Sequence, residues 1–494
     1  MSWNAIQTDS DEITHGEWNA MVSGIQHSGF DYIIYKEGGL THSKQTATGD
    51  IKYSNINSSK TINETLSDMT NSGGVCYIEP GIYKISSSIV ISGSYTKLLG
   101  AGNKTKLTLG NGANCDLIKT KGVGTSNLMQ IEIGNMWLSG NKSGQTTSNV
   151  VHVTLWNSYI HDLYIKDAKD HGIYHEGGGS SNDDCHFYRN MIYGCNGDGM
   201  RLFGASAVPL QNVVGNTIGV CGLCGVRLYG NQTYLACNQI YTFGQSGSSS
   251  PGILLDRASR CTIVGNRVYT HHIDGRGIML TSKGGLSCFE NTICNNQIYG
   301  TNAANVINIW ASGTGTYCGY NVIANNTIRH RNVTHCGINL SGSAGSTINN
   351  VVEGNVFSGS LFTKHIYDNG TGNYIRNNIG TGENKYDYIS SQVISGGTIT
   401  CNTLTINTVN TISGLADPTY NSGAASKHYS DNPDYVSSQA ISGGSLNPFI
   451  MTPTSSEPSK DIGRIWMSGG TTYCRLYMIS GNGANVQWKQ ISFT

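Results

Sequence analysis

Charge is scarce in this chain. Of 494 residues only 13% are Asp, Glu, Lys or Arg, and the 31 basic residues match the 31 acidic ones, for a formal net charge of zero. A nucleic acid partner needs an excess of Lys and Arg on some face, so none is expected. Proline is rare too, at 8 residues, while Gly reaches 64, a balance that suits many tight turns. No apolar run approaches the ~18 residues that span a bilayer, so membrane insertion is not expected. The start, Met1-Ser2-Trp3-Asn4, has neither a basic stretch nor an apolar core, so no secretory signal is read there. Helical periodicity is missing through the middle of the chain.

What the middle does contain is a repeat. Asn or Asp followed by x-aliphatic recurs at Asn135, Asp162, Asn190, Asn216, Asn238, Asn266, Asn296, Asn326, Asn355 and Asn378, in steps of 22 to 30 residues. A second signature, Gly-aliphatic-x-aliphatic, begins at Gly172, Gly199, Gly225, Gly252, Gly277 and Gly337. Two short strands at a fixed phase inside a fixed period indicate a solenoid, because a single turn cannot bury its own apolar face. The step is too short for a propeller blade. The expected fold is therefore all-β: a right-handed single-stranded parallel β-helix with strands about 4.8 Å apart.

The organisation reads as four segments. Residues 1–50 form an N-terminal head for attachment, with a capping box at Thr14–Glu17 opening a short helix to Ile25. Residues 51–387 form the β-helix, its open first coil plugged by a helix near 61–70. Residues 388–447, rich in Ser, Gly and Thr, form a stalk or linker, and residues 448–494 a small C-terminal β-domain of three or four strands. The 14 cysteines scatter along the coils (Cys185, Cys237, Cys261, Cys288, Cys318, Cys336), as small interior hydrophobes would. Cys221-Gly-Leu-Cys224 is a lone CxxC. So many interior thiols suit a chain folded in a reducing cytoplasm and carried outside later, as a virion part is.

The opening coil carries a resemblance. Gly73-Gly74, Val75, Tyr77, Ile78, Pro80-Gly81, Tyr83 and Ile85, closing on Leu98-Leu99-Gly100-Ala101-Gly102, resemble the first coil of the pectate-lyase-like β-helix superfamily. Two later stretches, Ile412–Tyr429 and Ile462–Trp488, resemble linkers and terminal modules of virus tail fibres and tailspikes. The resemblance implies a homotrimeric virion spike: the head on baseplate or tail proteins, the β-helix against a host surface polysaccharide or glycoprotein. It says little about chemistry, since the superfamily holds lyases, hydrolases, epimerases and plain adhesins.

In the Gly-aliphatic strands the residues two and four places after the Gly point outward. The first column reads Tyr174, Arg201, Arg227, Leu254, Met279, Asn308, Asn339; the second reads Glu176, Phe203, Tyr229, Asp256, Thr281, Trp310, Ser341. Aromatic faces with Arg and carboxylates suit sugars. Tyr174, Glu176, Arg201, Phe203, Arg227, Tyr229, Asp256 and Trp310 are the candidate glycan-binding residues; the alternative is that Phe203, Tyr229 and Trp310 lie under a loop or in a trimer contact. Glycoside hydrolysis needs two carboxyl groups about 5 to 9.5 Å apart. The candidate pair is Asp170 and Asp198, at nearly the same phase of adjacent coils, with His171 or His186 nearby. Turn capping explains each Asp equally well. His171 and His175 are too far apart on a strand to share zinc, and no metal or cofactor is expected. Three readings stay open: a glycan-binding spike, a polysaccharide depolymerase (hydrolase or lyase) on the same scaffold, and a cell-surface or filament-forming structural protein.

Overall fold

A computed structural model describes residues 29–125, 128–177, 184–203, 210–246, 250–269, 276–300, 305–330, 336–342, 346–358, 364–380, 388–389, 465–470, 473–480 and 487–492. The expectations for residues 14–25 and 390–447 lie outside them.

The chain is all-β and winds as a right-handed parallel β-helix. Eleven strands, one per coil from Ile89–Ile91 to Lys364–Asp368, stack into one parallel sheet, here the first face. A larger sheet carries two further columns of short strands, exemplified by Tyr234–Ala236 and Gln239–Tyr241 in one coil. Inside, the central rungs of the first face each contribute two apolar side chains: Met200 and Leu202, Val226 and Leu228, Ile253 and Leu255, Ile278 and Leu280, Ile307 and Ile309 are all at most 1% exposed. Burying one such side chain is worth roughly 1.5–3 kcal/mol, so each added coil is favourable only because its neighbour covers it.

The corner between the second and third columns explains the asparagine repeat. Arg189, Gly215, Cys237, Gly265, Asn295, Asn325, Gly354 and Asn377 take left-handed φ values between +54° and +67°. The next residue is the ladder Asn. In each, Oδ1 accepts from the backbone N–H and Nδ2 of the Asn one coil earlier, from Asn190 through Asn216, Asn238, Asn266, Asn296, Asn326 and Asn355 to Asn378. Asn135 and Asp162 are not rungs of this ladder. They occupy the left-handed corner itself, at φ +56° and +51°, and Leu163 holds the rung position, its N–H donating to Asn190 Oδ1. A second ladder, Asn291, Asn321, Asn350 and Asn373, runs beside it.

The strand glycines have a different cause, close approach. A Cβ on Gly172 would lie 2.6 Å from the Gly199 carbonyl oxygen and 2.6 Å from Ile192 Cγ2, so the chain can turn into the first face only where no side chain intervenes.

At the N-terminal end, the helix Ser58–Asp68 buries Ile62 and Leu66 against the first coils. It begins three residues before the expected Thr61 because the Asn57 side chain accepts from Ser59 N–H and caps it. The strand Tyr32–Glu37 pairs in parallel with Gly74–Ile78, so the chain joins the solenoid's sheet ahead of this helix. Residues 400–494 form a separate unit containing a three-stranded antiparallel sheet, Ile465–Gly470, Tyr473–Ser480 and Gln487–Ser492. No helix among the described residues is long and apolar enough to cross a membrane.

Candidate functional site

Strand pairing fixes the outward columns of the first face. Tyr174, Arg201, Arg227, Leu254, Met279, Asn308 and Asn339 are consecutive register partners. Glu176 pairs with Phe203, Phe203 with Tyr229, Asp256 with Thr281, Thr281 with Trp310 and Trp310 with Ser341. The order read from the repeat is the order on the molecule.

The face divides into two parts. Towards the N-terminus lies a network of charges and rings. His152, one rung before Tyr174, stacks on it at 4.6 Å between centroids and 8° between planes. The Asp116 carboxylate holds His152 Nδ1 at 2.8 Å, while Nε2 points to Glu176 Oε1 at 3.7 Å. Burial opposes ionisation of Asp116, but the hydrogen bonds from His152 and from Asn149 outweigh it and hold its carboxyl below the usual carboxylate range. Burial, together with the bond to Glu176, pushes the Tyr174 hydroxyl up to about 12, so at neutral pH it is a phenol that donates to Glu176. On the next rungs Phe203 and Tyr229 stack at 4.0 Å, and the Arg257 guanidinium covers the Tyr229 ring at 4.2 Å. Those faces are already in use. Phe203 and Tyr229 therefore stiffen the face rather than offering free surfaces to a sugar ring.

Towards the C-terminus the face opens into a groove. One cavity of about 170 Å³ is lined by Arg276, Met279, Asn305, Asn308, Trp310 and Asn339. A shallower one of about 520 Å³ shares Arg276 and Met279 with it and continues past Leu254, Asp256, Thr281 and Lys283. From Leu254 to Asn339 is three rungs, about 14 Å. Asn339 Nδ2 donates to Asn308 Oδ1 and Ser341 Oγ, which fixes both amides beside the indole.

Asp170 and Asp198 each have protein partners of their own. Asp170 Oδ2 accepts from Thr147 Oγ1 at 2.7 Å and from Ser148 N–H at 2.9 Å, a cap on the neighbouring coil's turn. Asp198 is fully buried; its Oδ1 accepts from Cys224 N–H and its Oδ2 lies 3.1 Å from Arg227 Nε. His186 stacks on Tyr159 on another face. His175 is interior: Gln211 donates to its Nδ1, its Nε2 faces the Leu155 carbonyl, and burial lowers its pKa to about 4. Cys221 and Cys224 are buried, whereas Cys237 is exposed at a left-handed corner, unlike the interior position expected for it.

Asp116, His152 and Arg257 were missed. His152 sits in Val150-Val151-His152-Val153, which lacks the leading Gly of the motif; its apolar–polar alternation was the available signal.

Residues 110–328 match the family described as periplasmic copper-binding protein (NosD). That stretch is less than half of the chain. Among the described residues no group of three or more His, Cys, Asp and Glu side chains could hold a metal ion. A comparison with curated protein sequences gives no match. Among solved structures, the chain is similar to the A-module of a mannuronan C-5 epimerase of Azotobacter vinelandii, at 14% identity over 64% of this chain and 94% of that one, TM-score 0.42. It is also similar to ORF18 of Geobacillus virus E2, at 15% identity over 70% of this chain and 69% of that one, TM-score 0.44. A third is the pre-mature gene product 12 of bacteriophage phi29, at 16% identity over 67% and 51%, TM-score 0.47. These likenesses concern the course of the chain and not its chemistry.

Proposed function

We propose that this chain is a glycan-binding protein whose first face, in the groove from Leu254 to Asn339, receives a host surface polysaccharide. The observation that carries the reading is the Trp310 groove. An indole beside two fixed Asn amides, with Met279 and Arg276 on the walls, combines an apolar plate with directed hydrogen-bonding groups, the composition of a sugar site. No described ring stacks on Trp310, unlike Phe203 and Tyr229. The tail-fibre-like segments 412–429 and 462–488 give this binding its setting, a virion spike that attaches to its host, and the homotrimer and the head's partners on the virion belong to the same reading.

Asp170 and Asp198 give the depolymerase alternative no support, since their carboxylates are committed to Thr147, Ser148, Cys224 and Arg227. Screening the full-length chain against immobilised microbial surface polysaccharides tests the proposal. Binding that falls at least tenfold in Trp310→Ala, with no release of reducing ends or unsaturated sugars, is the expected result. Binding unchanged in that variant would remove the groove from consideration.

A further inference from the structure

Arg201 and Arg227 are neighbours in one column but not equivalent chemically. Arg227 lies 3.1 Å from Asp198 and 3.8 Å from Asp256, and Arg257 lies 3.0 Å from Asp256. Arg201 has no described carboxylate within ion-pair distance. Its guanidinium sits 5.1 Å from the Tyr174 ring centroid and 5.9 Å from that of Phe203. Its Nε is buried without a hydrogen-bond partner, and its Nη1 lies 3.2 Å from His171 Nε2. A guanidinium only donates.

The histidine decides what is missing. The backbone N–H of Asp198 donates to His171 Nδ1 at 2.9 Å, so Nδ1 must be the acceptor nitrogen of a neutral ring. Burial keeps the ring neutral, and the Arg201 and Arg227 guanidiniums act in the same direction against Asp198. The ring's proton is therefore on Nε2, facing Arg201. Two donors confront each other across 3.2 Å, and among the described residues the half-buried Arg201 has no other side-chain acceptor. An oxygen anion placed between them would accept from both, and the aromatic surroundings strengthen such a bond by excluding water.

We propose that Arg201 and His171 Nε2–H seat an anionic group, a carboxylate or sulfate carried by the bound glycan, so that the ligand is an acidic polysaccharide. The inference rests on the glycan-binding reading above. Arg201 stands two rungs, about 10 Å, from the near end of the groove at Leu254, so one chain lying along the solenoid axis reaches both.

The test is calorimetric titration of the full-length chain with three probes: an oligoglucuronate, its carboxyl-reduced neutral counterpart, and a sulfated oligosaccharide of similar length. Expected is at least tenfold tighter binding of one or both acidic probes than of the neutral one. The two acidic arms separate carboxylate from sulfate. Arg201→Ala should weaken the acidic probes at least tenfold more than the neutral one, and Arg201→Lys, which keeps the charge without the fork, should retain part of the preference; thermal unfolding confirms that both variants fold. Equal affinity for acidic and neutral probes, or equal losses for both in Arg201→Ala, overturns the anion seat and leaves the glycan reading standing. Binding that survives Trp310→Ala and is lost in Arg201→Ala overturns the groove alone. No binding of any probe overturns both.

Discussion

Replacing Asn296 by Ala tests the source of the solenoid's register. The residue is 1% exposed. Its Nδ2 meets the Ile263 carbonyl at 2.9 Å, the Cys294 carbonyl at 3.0 Å and Asn326 Oδ1 at 2.9 Å; its Oδ1 accepts from Asn266 N–H at 2.9 Å and Asn266 Nδ2 at 3.0 Å. Alanine removes all five contacts. It leaves the buried N–H of Asn266 without its acceptor. Counting the three bonds that the amide's two hydrogens and one oxygen can sustain at roughly 1 kcal/mol net each, and roughly 1–3 kcal/mol for the buried N–H left unmet, the expected loss is about 4–6 kcal/mol. Because each coil is held mainly by its neighbours, the loss should be local, with amide exchange accelerating in the strands around Ile263, Ile293 and Ile323 before distant coils respond. Equilibrium urea unfolding followed by far-ultraviolet circular dichroism gives the magnitude, and native-state hydrogen exchange gives the location. Gln297→Ala, on an exposed side chain one residue on, is the control and should stay within about 0.5 kcal/mol of wild type. A loss below about 1 kcal/mol at Asn296, or protection lost uniformly along the chain, would refute the idea that the ladder is what holds the coils in step.

Three other outcomes follow from named contacts. Gly199→Ala brings a Cβ to 2.7 Å from the Gly225 carbonyl oxygen and 3.0 Å from Cys221 Sγ; overpacking of this kind costs about 1–3 kcal/mol, read as a fall in the urea midpoint. His175 has a pKa of about 4 against 6.5 for the free side chain. The unfolded chain therefore binds the extra proton first, and the stability that the neutral ring contributes is complete above pH 6.5 and lost as pH falls towards 4. That loss is up to about 3 kcal/mol, and His175→Leu should flatten this part of the stability–pH curve whatever it does to stability at pH 7. Arg257→Ala uncovers the Tyr229 ring and removes a partner of Asp256; thermal melting should fall by the equivalent of about 0.5–1 kcal/mol, with glycan binding in the Trp310 groove unchanged.

The outward columns were legible because two local signals agree: the strand glycine marks where a rung begins, and strand alternation then fixes which residues face out. Asn308 and Trp310 fall in place by the repeat spacing between Gly277 and Gly337, since Val306 stands where their own rung would carry the glycine. The ladder was legible only from Asn190 onward. Asn135 and Asp162 carry the same residue types one position early, because Asn and Asp also suit a left-handed corner, and a tripeptide pattern cannot separate the two sites. Asp170 and Asp198 share nearly the same phase, yet one residue of offset sends one carboxylate to a turn and the other into the interior. His152 escaped because its rung lacks the glycine and lies ahead of Gly172, the first one, so no flanking pair of glycines brackets it.

The stacked rungs also limit what such a face can recognise. Side chains in one column stand about 4.8 Å apart, close enough for flat groups to pair with each other: Phe203 with Tyr229, His152 with Tyr174, Arg257 over Tyr229. A column of aromatics thus tends to consume its own faces, and a ring stays available to a ligand only where its neighbours along the axis are small or polar. Trp310 meets that condition, with Thr281 on one side and Ser341 on the other. An Arg stays available only where no carboxylate stands beside it on the face, the condition that Arg201 meets and Arg227 does not. On this argument the informative positions of a β-helix face are the interruptions of its ladders.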